Sequence, residues 1–90
     1  PTFALSHHYS SGIIPLIHMD LYRLENSFMA KELFISEEEE AIQNEAIMVI
    51  EWPELIKPVL NNFWKIEISY ATNFGRNYKI WDPKNLLTFE

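Results

Sequence analysis

The chain has 90 residues, 48% of them hydrophobic and 14% aromatic, with a formal net charge of −6 and no cysteine. That composition excludes an intrinsically disordered chain, a disulfide scaffold and a thiolate metal site. With Lys+Arg 7 against Asp+Glu 13, direct nucleic-acid binding is not expected, because phosphate contacts need clustered Lys and Arg.

The length suits one domain over residues 1–90, near the small end for independent stability, since such a chain buries roughly 60–65% of its unfolded surface. No apolar run approaches the roughly 20 residues of a membrane-spanning helix, and no charged-then-apolar signal pattern opens the chain. A soluble, cytoplasmic protein is therefore expected. The first residue is Pro1, not Met, so a missing upstream segment is also expected.

Residues 2–9, TFALSHHY, alternate between a more apolar and a more polar face and predict a strand. His7 and His8 then face opposite sides, which argues against a metal pair. Residues 10–12, SSG, predict a turn. Residues 13–20, IIPLIHMD, are apolar at nearly every position, the pattern of a strand buried on both faces. Pro15 forbids one ladder bond, so it belongs near the strand's start or beside an edge.

Residues 25–34, ENSFMAKELF, predict a short helix capped by Asn26 or Ser27. A second helix is expected from the capping box Ser36–Glu39, with the acidic run 37–40 in its first turn, where the helix dipole favours negative charge. An acidic metal site in that run is the minor alternative. Residues 46–52, AIMVIEW, predict another buried strand. Pro53 suits the first turn of a helix over PELIKPVL, which Pro58 ends or shortens. Asn61–Asn62 make a turn. FWKIEISY places Trp64, Ile66, Ile68 and Tyr70 on one face, and NYKIW (77–81) completes an antiparallel hairpin across a loop holding Gly75.

Two of these strands end at an acid. One stops at Asp20 and the other at Glu51, with helical sequence between them, which suits a right-handed crossover and parallel pairing. In a parallel sheet the carboxyl ends share one rim, where ligands bind. Paired carboxylates there can hold a hydrated Mg²⁺, or one can orient a water for attack. Strands also end in polar residues simply because the chain must return to water, and that reading stays open for each acid. Arg23 can clamp a phosphate or carboxylate, or pair with Glu25 or Asp20. Tyr22 fits a core residue with its hydroxyl at the rim. His18 alternates with Asp20 and can support its orientation.

Three motifs occur in order: PTF (1–3), HMDLYRL (18–24) and IEWPE (50–54), followed by Gly75-Arg76. The combination resembles the TsaE (YjeE) family, the P-loop ATPase of bacterial tRNA threonylcarbamoyladenosine biosynthesis, over essentially the whole chain. The resemblance implies an α/β, P-loop NTPase-like sheet with parallel core strands, short crossover helices and a C-terminal antiparallel hairpin. It implies that Thr2 lies in a switch-like segment near the terminal phosphate and Mg²⁺. Asp20 would hold Mg²⁺, Glu51 would position the attacking water, and Trp52 would border the nucleotide. His18, Tyr22 and Arg23 would support them.

The cofactors implied for the complete family protein are ATP and Mg²⁺, and the partners are the TsaD and TsaB proteins, which ATP hydrolysis resets. The sequence departs from the family in one respect. A Walker A loop, G-x-x-x-x-G-K-[ST], cannot be drawn from the chain's two glycines, Gly12 and Gly75. The expectation is a C-terminal portion of a TsaE-like protein, with the N-terminal strand and P-loop helix absent, unable to bind or hydrolyse ATP alone. Sheet edges left open would favour self-association. The alternatives are a truncated interaction protein, a gene remnant, or an unrelated small α/β kinase or hydrolase.

Overall fold

The computed structural model describes residues 5–85 and 87–89. It divides into two compact units, Pro1–Val59 and Leu60–Glu90.

The first unit carries a three-stranded sheet in the order β1-β2-β3, with β1 at Ser6–Tyr9, β2 at Leu16–Asp20 and β3 at Ile47–Glu51. The β1–β2 pair is antiparallel and the β2–β3 pair parallel, as a strand–helix–strand crossover requires. Pro15 sits just before β2, where its missing N–H disturbs no ladder bond, and its carbonyl accepts the Ile47 N–H. The far end of β2 is tied on both sides. The Asp20 N–H donates to the Leu5 carbonyl and the Leu21 N–H to the Glu51 carbonyl.

The crossover is one helix, α1 (Ser27–Asn44), rather than the two expected. Asn26 caps it, its Oδ1 accepting the Met29 N–H at 3.0 Å. No Gly or Pro interrupts the run from there to Asn44. Ser36 therefore lies inside the helix, where the Glu39 N–H already bonds within the helical ladder, and the capping box goes unused. The acidic run falls mid-helix instead of in a first turn. Among the described residues no group of three or more His, Asp or Glu side chains is placed to hold a metal ion, in the acidic run or elsewhere.

The helix ends on Glu45 in the left-handed region (φ 52°), with the Glu45 N–H on Ile42 O and the Ala46 N–H on Ala41 O. That pair of bonds is a Schellman ending, built here without the usual glycine. After β3, Pro53–Val59 forms a 3-10 helix rather than an α-helix. Pro58 has no N–H to complete an α-helical turn, and the short, tightly wound form accommodates it.

Among the described residues, those buried are Ile17, Met19, Leu21, Leu24, Ala30, Phe34, Ala41 and Ile56, all in the first unit. Along β2, Ile17 and Met19 are buried while the residues alternating with them are half-exposed. Along β3, Ile47, Val49 and Glu51 are exposed. The expectation of strands buried on both faces is thus corrected. Helix α1 covers one face of the β2–β3 pair, and within the first unit no second layer of described residues covers the other.

The second unit is a three-stranded antiparallel sheet of β4 (Lys65–Tyr70), β5 (Arg76–Trp81) and β6 (Leu87–Phe89). The expected hairpin is present, with Ile66 opposite Ile80, Glu67 opposite Lys79 and Ile68 opposite Tyr78. Arg76 stacks over Tyr70 at 4.5 Å, and Lys65 lies 5.0 Å from the Trp81 ring centre. The strand β6 had no counterpart in the sequence reading. Both units together are the mixed α/β architecture expected, with a parallel pair joined by a crossover helix and a C-terminal antiparallel hairpin.

Candidate functional site

Parallel pairing places Asp20 directly opposite Glu51, in register, as the last residues of β2 and β3. Side chains alternate along a strand, so His18 and Asp20 on β2 share a face with Val49 and Glu51 on β3. It is the face α1 leaves open. Two carboxylates set opposite each other repel, and such pairs weaken a sheet unless something compensates.

Each acid has a separate donor. Asp20 Oδ1 accepts the Tyr22 N–H at 3.0 Å, a turn in which an aspartate bonds the backbone two residues on. Glu51 Oε1 lies 2.6 Å from His18 Nε2. An ionised carboxylate only accepts, so Nε2 carries the hydrogen. The expectation that His18 supports Asp20 is corrected here, because His18 bonds the acid diagonally across the strand pair and not its own-strand neighbour. Residues diagonal across a pair are about 7–8 Å apart at the backbone, within reach of two long side chains.

Beyond the strand ends, Tyr22 and Trp52 meet. Their ring centres are 4.8 Å apart, tilted by 51°, and both side chains are largely exposed. The exposure corrects the reading of Tyr22 as a core residue. Trp52 reaches this position through a left-handed backbone (φ 57°), an uncommon conformation for a bulky residue, with Pro53 starting the 3-10 helix directly after it. Arg23 is exposed and makes no ion pair with Asp20 or Glu25 among the described residues. Thr2 lies outside the described residues.

The open face therefore presents two carboxylates and an imidazole, and the aromatic pair follows directly after the ends of the two strands. One hydrogen bond leaves a carboxylate most of its acceptor capacity, so Asp20 suits a cation that keeps several waters and takes one or two protein carboxylates, as Mg²⁺ does. A shallow concavity lined by His8, Tyr9, Leu16, Asn44 and Ala46 sits at the opposite end of the β2–β3 pair and contains none of these groups. His8 bonds Glu37 of α1 there, a tie between helix and strand.

The sequence reading missed the His18–Glu51 bond and the Tyr22–Trp52 contact. The first was legible in principle from register: once Asp20 faces Glu51, His18 and Glu51 are diagonal on one face. The second depends on the left-handed Trp52, which no local pattern announces.

Residues 1–78 match the family of the threonylcarbamoyl adenosine biosynthesis protein TsaE. The chain is 33% identical over 60 residues to the tRNA threonylcarbamoyladenosine biosynthesis protein TsaE of Bacillus subtilis (strain 168), covering 67% of this chain and 35% of that protein. It is 35% identical over 81 residues to the protein of the same name from Nostoc sp. (strain PCC 7120), covering 89% of this chain and 49% of that one. The chain thus spans half or less of the length of these relatives. With the family matched over most of its residues, the chain belongs to the TsaE family.

Proposed function

We propose that these residues are the acid-bearing part of an ATPase acting in tRNA threonylcarbamoyladenosine biosynthesis. The observation that carries the reading is the in-register pairing of Asp20 and Glu51 at the carboxyl ends of two parallel strands, each with its own hydrogen-bond donor. Asp20, fixed by the Tyr22 N–H, is the Mg²⁺ ligand. Glu51, fixed by His18, accepts from the attacking water and orients it. Bound Mg²⁺ would supply the positive charge that offsets these carboxylates, and ATP the phosphoryl group. Trp52, with Tyr22 against it, borders the nucleotide. Thr2 belongs beside the terminal phosphate and the metal, and Arg23 is a further phosphate contact.

A backbone cradle for the phosphates is not encoded in these 90 residues, which have no G-x-x-x-x-G-K-[ST] sequence. The 90 residues alone are therefore expected neither to bind nor to hydrolyse ATP appreciably. In the complete protein, hydrolysis resets the TsaD–TsaB assembly. The net charge of −6 supports contact with proteins rather than with tRNA.

The test uses the full-length native protein. Asp20→Ala should weaken Mg²⁺-dependent nucleotide binding. Glu51→Gln should lower turnover about 100-fold, the lower end for a lost general base, with nucleotide affinity near wild type. Nucleotide should also change Trp52 fluorescence. Turnover unchanged in Glu51→Gln removes Glu51 from the chemistry.

A further inference from the structure

We propose that His18 is the positioning residue for Glu51. The inference rests on the reading of Glu51 as the residue that orients water. The bond from His18 Nε2 to Glu51 Oε1 spans 2.6 Å across the parallel pair.

The two partners are unequally held. His18 stands on β2, the central strand, with His7 opposite it on one side and Val49 on the other. Its side chain is 31% exposed. Glu51 is the last residue of β3, which pairs on one side only among the described residues, and its side chain is 51% exposed. A half-exposed acid at the end of a strand paired on one side only among the described residues has little to fix its rotamer. It also faces the like charge of Asp20, which pushes it away from any single position. The imidazole supplies a fixed donor, carried by β2, which is paired on both sides.

A water held by Glu51 must lie within a few tenths of an ångström of its attack position, and a misplacement of about 1 Å can cost about 100-fold in rate. His18 therefore acts on turnover through Glu51 without touching the nucleotide. A merely structural bond would tie β2 to β3 and leave the ratio of turnover to binding unchanged.

The distinguishing experiment measures ATP turnover and nucleotide affinity of the full-length native protein for wild type, His18→Ala, His18→Gln and Glu51→Gln. The ¹³C carboxyl signal of Glu51 is followed in the first three. His18→Gln keeps an N–H donor near the Nε2 position. The expected result is a loss of kcat of about 10-fold in His18→Ala, with affinity within about twofold, because only transition-state positioning is lost. His18→Gln should recover most of the rate, and the Glu51 carboxyl signal should move in His18→Ala and return in His18→Gln. Wild-type turnover in His18→Ala, or equal losses in both His18 variants with an unmoved carboxyl signal, overturns the inference. If Glu51→Gln itself keeps wild-type turnover, the reading of Glu51 falls instead. The carboxyl signal then decides the positioning claim alone, which falls if His18→Ala leaves it unmoved.

Discussion

Asp20 and Glu51 should make the metal-free protein less stable than it would be with either acid neutralised. They are register partners on adjacent strands, which lie about 4.8 Å apart. Taking about 6 Å between charge centres, Coulomb repulsion is about 0.7 kcal/mol at the dielectric constant of water. Glu51 is half exposed, so the high-dielectric value applies. Asp20→Asn removes the charge and keeps an oxygen to accept the Tyr22 N–H. It should stabilise the protein by about 0.5 kcal/mol, whereas Asp20→Ala, which also loses that bond, should be less stable than Asp20→Asn by about 1 kcal/mol. The assay is urea unfolding of the full-length native protein without nucleotide or divalent cation, compared at constant m. Combining Asp20→Asn with Glu51→Gln should gain less than the sum of the two, since either change alone ends the repulsion. Added salt should shrink the coupling. A coupling of zero at low salt, or Asp20→Asn falling below wild type, would refute the reasoning.

Three further outcomes follow from local geometry. Glu45→Gly should stabilise by about 1 kcal/mol, because Glu45 holds a left-handed conformation at the Schellman ending that costs a side-chain-bearing residue about 1–2 kcal/mol; a lower thermal midpoint would contradict this. Ser6 Oγ is buried with no hydrogen-bond partner among the described residues, so Ser6→Ala should be neutral or stabilising by up to about 1 kcal/mol, and a clear loss in urea would mean the hydroxyl has a partner. At Trp52, Gly should be tolerated better than Ala by about 1 kcal/mol, since both lose the ring and Gly alone relieves the backbone; equal stability of the two would show that φ 57° carries no strain.

Much of this fold could be read from residue order. The apolar stretches ending at Asp20 and Glu51 became neighbouring parallel strands, and the alternation of Ile66, Ile68 and Tyr70 against Ile80 and Tyr78 became an antiparallel ladder. The errors have physical causes. Ser36 and Glu39 carry all the chemistry of a capping box, but Asn26 had already started a helix that nothing between them interrupts. A cap is needed only where a helix begins, and local sequence does not say whether one is already running. Ile47 and Val49 look like core because they are β-branched and apolar, yet burial depends on a second layer, which a strand's own sequence cannot report.

The site shows the same limit from the other side. Local sequence named Asp20, Glu51 and His18, but the pairing among them follows from register, a property of two strands at once. Several departures from ordinary packing meet at that rim. Like charges stand opposite each other, two large aromatic rings lie exposed in contact, and a tryptophan takes a backbone conformation that suits glycine. None of these improves the fold, and a sequence shaped for stability alone would have removed them. Elsewhere in the first unit Glu45 also holds a left-handed backbone and Ser6 Oγ is buried with no partner among the described residues, so local cost alone does not single out the rim. What sets the rim apart is the kind of cost, the repulsion of two register-paired carboxylates, which is the one a bound cation would compensate.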